Sequence, residues 1–496
     1  MTDLAHLDRR TFLQASAVLA AAGLSSPLAT ARPTPEDEVH DVVVIGSGGA
    51  GLAAAIMSAA SGADTLVLEK MAETGGNTRL ADAFNAVDPN AQNAIGVGDS
   101  EEKHAEQMLE SGRWTANPEL VRTVTYGAPE TLEWLKACGV AFAPGVYQVY
   151  GSLWPRTHSP VAPLGAGYID PLMRKCNELG VEVRTKTKVL RVLRDENGPV
   201  TGVEVRTAAG EVRRIAARRG VVVASGGFSA NAKLAARFDP RLAKLRTTNF
   251  PGATGDLIAP LEDIGAAAVG MEFFQLLPGS ATNGRFIGAI SPVENMILVN
   301  RSGLRFVAED SPGTTVTHAV LSQPGRLAFP ILDASGYAGM RPTSRAAFDE
   351  GMKHGDAVEA PSLAALAAKL QIPSESLVQT VEAYNLAVRD KKDTIGRNPN
   401  MLASPIVKPP FYAAKVSMSI NCSLGGIAVT PRAEVLDRHR RVIPRLFAAG
   451  EVTGGIHGEN LMGGNALSEV FTFGRIAGLS AALGPDRTLT FGPKAG

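Results

Sequence analysis

Positions 40 to 45 read His-Asp-Val-Val-Val-Ile, a short apolar run rich in β-branched residues and closed by glycine. That is the pattern of a strand buried on both faces of a parallel sheet. A helical stretch follows from Leu52 to Ser61, then a second strand from Asp64 to Leu68 that ends at Glu69. The strand signature returns at Val221-Val222-Val223, within Gly220 to Ser225, and once more from Arg445 to Ala449, which delivers Glu451. A last helix runs through Ser468 to Ala482. Between these, Ser362 to Lys369 and Ser374 to Arg389 place apolar residues three and four apart, which predicts helices. The pattern is α/β, and 496 residues are enough to bury more than one core.

The turns carry more information than the elements. Gly46-Ser47-Gly48-Gly49-Ala50-Gly51 joins the first strand to the first helix. Gly46 permits the tight turn, Gly48 lets the backbone approach a pyrophosphate, and Gly51 lets helix and strand pack closely. The helix start then offers free N–H groups and a positive dipole to phosphate. Glu69 lies 18 residues past Gly51, where a carboxylate can accept the hydroxyls of an adenosine ribose, with Lys70 beside it. These features predict a dinucleotide site, and the fingerprint alone does not separate FAD from NAD. Three later segments favour FAD: Gly75-Gly76-Asn77-Thr78, the glycine turn Gly226-Gly227-Phe228, and the pair Ala449-Gly450-Glu451 with Gly463-Gly464-Asn465-Ala466-Leu467. An extended cofactor explains why both ends of the chain carry such turns. A helix start aimed at a flavin would stabilise the negative charge gained on reduction.

Composition narrows the field further. Forty-nine basic residues balance 49 acidic ones, so nothing pulls the chain generally towards nucleic acid or anionic lipid. Cys138, Cys176 and Cys422 are too scattered for a disulfide scaffold or a metal site, and no Cys-x-x-Cys-His attaches a c-type haem. The first 31 residues differ from the rest: Arg9-Arg10, a mildly apolar run from Ala15 to Leu24, then Ala29-Thr30-Ala31. This order reads as a twin-arginine export signal and predicts a periplasmic or otherwise exported protein. The apolar run is shorter than the roughly 20 residues that span a bilayer, so no transmembrane anchor is expected.

In the order and content of these segments, the chain resembles the fumarate reductase and succinate dehydrogenase flavoprotein superfamily, especially flavocytochrome c type fumarate reductases and 3-ketosteroid dehydrogenases. Ala253-Thr254-Gly255-Asp256 and the stretch from Val299 to Phe306 add to the match. The resemblance implies a Rossmann-like FAD-binding domain with an inserted α+β capping domain that covers the substrate. The expected division is signal 1–31, FAD-binding domain 38–274 and 404–484, cap 275–403, and tail 485–496. Implied FAD contacts are Ala50, Glu69, Asn77, Thr78, Val189, Asp256, Glu451, Ala466 and Leu467; Gly46, Gly48, Gly51 and Gly76 of the glycine turns, with Lys70 beside Glu69, complete the expected cofactor set. Asn77-Thr78 stands where covalently linked members carry histidine, so the FAD is expected to be non-covalent.

The substrate wall departs from fumarate reductases. The family's Gln-x-His-Pro is Gln275-Leu276-Leu277-Pro278, its His-x-x-Gly-Gly is Cys422-Ser423-Leu424-Gly425-Gly426, and the arginine before Leu-Gly-Gly-Asn-Ala is Leu461. The segment Ala308 to Gly313 also lacks the proton-donating arginine. Each carboxylate brought out of water without a partner costs several kcal/mol, so this wall suits a neutral or hydrophobic substrate.

Oxidation or reduction of a carbon–carbon bond beside an electron-withdrawing group also needs an acid or base. Candidates are His457, Arg156, His158 and Asp310, with His318, Tyr150, Glu459 and Asn460 nearby in sequence. Arg301, Arg305 and Glu309 read as a charge network supporting the cap. The electron partner is expected to be a separate cytochrome, quinone or other redox protein. Two alternatives stand: a reductase of a small α,β-unsaturated acid, and a non-catalytic flavin-loaded electron-transfer subunit.

Overall fold

The computed structural model describes residues 38–149, 151–289, 293–311 and 313–484. The expected export signal, the tail and Tyr150 lie outside them. Strand Glu38–Ile45 is the centre of the main sheet and pairs in parallel on both sides, Val43 facing Leu66 of Thr65–Leu68 and Val221 of Val212–Val223. Val212–Val223 in turn carries Val442–Ala448 in parallel on its far side, Phe447 opposite Val222. Segments some 400 residues apart therefore share one sheet, and Val42, Val43, Val44, Leu66, Val221 and Leu446 are all fully buried in it.

Helix Gly49–Ala60 begins at the glycine turn itself, three residues before the sequence pattern starts it. The predicted C-terminal helix is Asn465–Leu483, and it packs closely on Gly49–Ala60. Close approach is possible because glycines face the contact: a Cβ on Gly478 would lie 2.0 Å from the Ala54 carbonyl oxygen, and one on Gly474 2.6 Å from that of Ala50. Ser58 Oγ donates to the Gly478 carbonyl at 2.9 Å across the same seam. The length and apolar character of Asn465–Leu483 are thus those of a core helix, 78% buried within the protein.

An inserted unit has cores of its own. The antiparallel pair Phe274–Ser280 and Val416–Ser423 leads the chain out and back, Leu277 facing Ser419. Beyond it, a four-stranded antiparallel sheet runs in the order Ile297–Val299, Phe329–Leu332, Phe411–Ala414, Ala357–Ala360. Helices Leu363–Leu370 and Ser374–Asp390 occupy the two segments of helical spacing. Phe411–Ala414, beyond residue 403, lies inside this sheet, between Phe329–Leu332 and Ala357–Ala360. Ala413 and Ala414 are fully buried there, a burial supplied by distant strands rather than by local pattern. Within the same unit Arg305 binds Glu309 at 2.8 Å and Asp393 at 2.9 Å, and Arg397 reaches Glu309 at 3.3 Å. All four are nearly or fully buried, so this charge network braces the insertion.

Candidate active site

The glycine turn forms one wall of a cavity of about 310 Å³ at the carboxyl end of the central strands. Gly46 has φ +103°, and a Cβ there would lie 2.3 Å from the Ala224 carbonyl oxygen. A Cβ on Gly51 would meet the Gly46 oxygen at 1.9 Å. At Gly48 nothing but the Gly75 oxygen, at 3.8 Å, would stand near such a Cβ. The protein's own packing therefore demands glycine at the first two positions, whereas Gly48 leaves open space facing the cavity. A ligand's close approach is the remaining reason for it.

The acids and loops are placed around that space. Glu69 accepts from Ser47 N at 3.0 Å, Ser47 Oγ at 2.7 Å and Met71 N at 2.8 Å, and lines the cavity. Lys70 Nζ binds Thr254 Oγ1 and Asp256, both at 2.8 Å, which ties the second strand's end to the Ala253–Asp256 turn. Gly49 N donates to Thr78 Oγ1 at 3.1 Å, clasping the Gly75–Thr78 loop to the first helix. Asn77 Nδ2 donates to Glu451 at 2.9 Å and Asn77 Oδ1 accepts from Phe250 N at 3.2 Å. Burial raises the Glu451 carboxyl, and the Asn77 and Ser423 hydrogen bonds oppose that rise. Gly46, Gly48, Ala50, Glu69, Lys70, Gly76, Asn77, Thr78 and Glu451 all line the cavity. Gly51 packs against Gly46 behind the turn, Val189 is buried in strand Lys188–Arg194, Asp256 reaches the cavity through Lys70, and Ala466 and Leu467 form the first turn of Asn465–Leu483. Sequence reasoning missed Met71, Thr74, Arg79 and Phe250 of the lining, which carry no motif of their own.

Residues expected to face the substrate lie beyond Glu451. Ser423 N donates to Glu451 at 3.1 Å, so Cys422 adjoins a residue bonded to the cavity lining. Gln275 is paired with Cys422 across the two crossing strands, and Gln275 Nε2 donates to the Leu461 carbonyl at 3.1 Å. Asn421, a residue without a sequence signal, donates to Gln275 Oε1 at 2.8 Å and accepts from Thr248 Oγ1 at 2.8 Å. Leu461 and Met462 are buried, and burial pushes the Cys422 thiol well above its ordinary range. Leu277 continues along the same strand. None of these side chains carries a charge.

The acid–base candidates are dispersed. His457 lies in the loop before Leu461; burial lowers its imidazole to about 4, and its Nδ1 has no hydrogen-bond partner. Glu459 pairs with Arg113 at 3.4 Å, and Asn460 Nδ2 donates to Ser111 Oγ at 3.0 Å at the end of a neighbouring helix. Arg156 is fully buried and clasps Asp99 through Nε at 2.8 Å and Nη2 at 2.7 Å. His158 is also buried, edge-on to Phe142, and burial lowers its pKa. Asp310 accepts from Asn398 N at 2.8 Å inside the inserted unit, and His318 lies on helix Gly313–Leu321.

A parallel sheet with a glycine turn, a ribose-placed acid and a C-terminal helix returning to the same cavity defines a dinucleotide-binding flavoprotein. The chain belongs to the FAD-binding family of the fumarate reductase and succinate dehydrogenase superfamily: the profile described as FAD binding domain matches residues 41–467. It is 35% identical over 452 residues to a fumarate reductase (cytochrome) of Shewanella frigidimarina, covering 90% of this chain and 78% of that one. An open-conformation structure of a flavocytochrome c3 fumarate reductase superposes with a TM-score of 0.78 at 30% identity, over 96% of this chain and 81% of that one. The 3-ketosteroid-delta4-(5alpha)-dehydrogenase of Rhodococcus jostii RHA1, solved with 4-androstene-3,17-dione, gives 0.72 at 27% identity, over 92% and 99%. The protein is an FAD-dependent oxidoreductase acting on a CH–CH group.

Proposed function

We propose that this is an exported flavoenzyme that dehydrogenates or reduces a carbon–carbon bond beside an electron-withdrawing group of a neutral or largely hydrophobic substrate. FAD, held non-covalently, supplies the hydride chemistry. Gly48, Glu69, Asn77, Thr78 and Glu451 would hold it, a fit supported by the open face of Gly48 and by the acids Glu69 and Glu451 in the cavity lining. The observation that carries the substrate class is the uncharged wall of Gln275, Leu277, Asn421, Cys422, Leu461 and Met462. A dicarboxylate there would leave water without finding a cation. His457 is the proposed acid–base group nearest that wall in the chain. Arg156, His158 and Asp310 would act from greater distance, the first through its contacts rather than by touching substrate. The Arg9-Arg10 leader supports export, and electrons would pass to or from a separate cytochrome, quinone or redox protein.

The test is reoxidation of the reduced flavin by a panel of fumarate, acrylate, neutral enones and unsaturated esters, with saturated ketones offered to the oxidised form. Neutral members of the panel are expected to react while fumarate does not. Brisk turnover of fumarate would establish the alternative acid reductase that the Shewanella similarity favours. A flavin inert to every compound would mark an electron-transfer subunit.

A further inference from the structure

The Gly463–Asn465 turn, which opens the C-terminal helix, is held by a buried network that neither the fingerprint nor the substrate wall includes. Asn465 Oδ1 accepts two hydrogen bonds, from Asn85 Nδ2 at 2.8 Å and from His104 Nε2 at 3.0 Å. An amide oxygen only accepts, so His104 carries its hydrogen on Nε2 and its Nδ1 is left without a partner. Asn85 spends its second amide hydrogen on the Gly463 carbonyl at 2.8 Å, and its own Oδ1 accepts from Thr157 Oγ1 at 2.7 Å. The backbone of Asn85 is laced to the same helix: its N–H meets Ser468 Oγ at 3.0 Å and its carbonyl accepts from that hydroxyl at 2.6 Å. Gly464 has φ +86°, and a Cβ there would lie 2.2 Å from Asn85 Oδ1.

Two elements thus converge on one amide oxygen, and the Arg156–Asp99 pair fixes them to each other. Asp99 immediately precedes Ser100, the N-cap of helix Glu101–Ser111, which carries His104 one turn in. Arg156 precedes Thr157 on the strand that pairs with Phe84–Asn85. Both ion-pair side chains have 0% exposure. His104, Asn85 and Asn465 are likewise fully buried. Burial, reinforced by the Arg156 charge, pushes the His104 imidazole down to about 3, so it stays a neutral donor.

We propose that His104, with Asn85 and the Arg156–Asp99 pair, is a positioning set that aims the start of helix Asn465–Leu483 at the flavin and thereby raises its reduction potential. The proposal rests on the reading that the flavin ring lies against the Gly463–Leu467 turn. The positive end of a helix stabilises nearby negative charge only within its first turn and only when pointed at it. Reduced flavin carries that charge and oxidised flavin does not, so the aim of the helix biases the couple.

The experiment is a dye-equilibrated reductive titration of the FAD-loaded full-length protein and its His104→Leu, His104→Gln and Thr157→Val variants. His104→Leu is expected to keep its flavin and lower the midpoint potential by about 30 mV, which for a two-electron couple is a tenfold weakening of reduced relative to oxidised flavin binding. His104→Gln, which restores an N–H donor to Asn465, should recover most of that shift. Thr157→Val should shift it in the same direction by less. Coincident potentials in flavin-loaded wild type and His104→Leu would overturn the proposal. If His104→Leu does not fold, an unchanged potential in Thr157→Val would overturn it. A wild-type protein that takes up no FAD would defeat the reading of the site itself.

Discussion

Glu469 offers a sharp test of how the interior around the cavity is built. It sits in the first turns of the C-terminal helix, 3% exposed, and accepts from Gly450 N at 3.0 Å. Burial raises its carboxyl from 4.5 to about 8; the Gly450 N–H opposes the rise and the nearby Glu451 charge adds to it. Folded protein therefore holds a proton that the unfolded chain has released across that interval. The stability this proton confers is fully present below about pH 4.5 and is lost as pH rises towards 8. The interval sets a ceiling of roughly 5 kcal/mol on the loss, at about 1.4 kcal/mol per pH unit. Glu469→Gln keeps an oxygen for Gly450 N and cannot ionise. Urea unfolding at fixed excess FAD, from pH 5.5 to 8.5, should show wild type losing stability steadily relative to the Gln variant, with the variant the more stable of the two at the alkaline end. Parallel curves for the two proteins would refute the assignment of a proton to Glu469.

Removing one partner of the fully buried Arg156–Asp99 pair, as in Asp99→Ala, should cost about 3–5 kcal/mol, because a guanidinium is left buried without its carboxylate. The double variant Asp99→Leu/Arg156→Met should recover a large part of that in urea melts. Gly51→Ala pushes a methyl to within 1.9 Å of the Gly46 carbonyl oxygen, and FAD affinity should fall more than a hundredfold by fluorescence titration. Leu461→Arg places a cation in the uncharged wall, so binding of fumarate, followed by perturbation of the flavin spectrum, should tighten at least tenfold while neutral ligands weaken.

The parallel sheet, the glycine turn and the cofactor class were legible in the sequence because each is a local rule. β-branched runs bury on both faces, glycines stand where a Cβ would strike a carbonyl, and an acid follows the second strand at fixed spacing. The uncharged residue types at the proposed wall, Leu277, Cys422 and Leu461, are likewise read directly from the sequence. What these residues touch was settled by tertiary structure alone. Arg156 reads from the sequence as a loop cation near a reacting centre, and its fully buried partner Asp99 lies 57 positions away, where no spacing announces it. Asn85, His104 and Asn465 carry no motif as a group; three separate elements must fold before their side chains meet. The strand Phe411–Ala414 joins the inserted sheet for the same reason, since its neighbours at Phe329–Leu332 and Ala357–Ala360 are supplied by chain closure rather than by its own four residues. Local sterics and periodicity act over a few residues and can be read in order along the chain. Hydrogen-bond satisfaction and burial are properties of the assembled interior, so they appear only once distant segments are in contact.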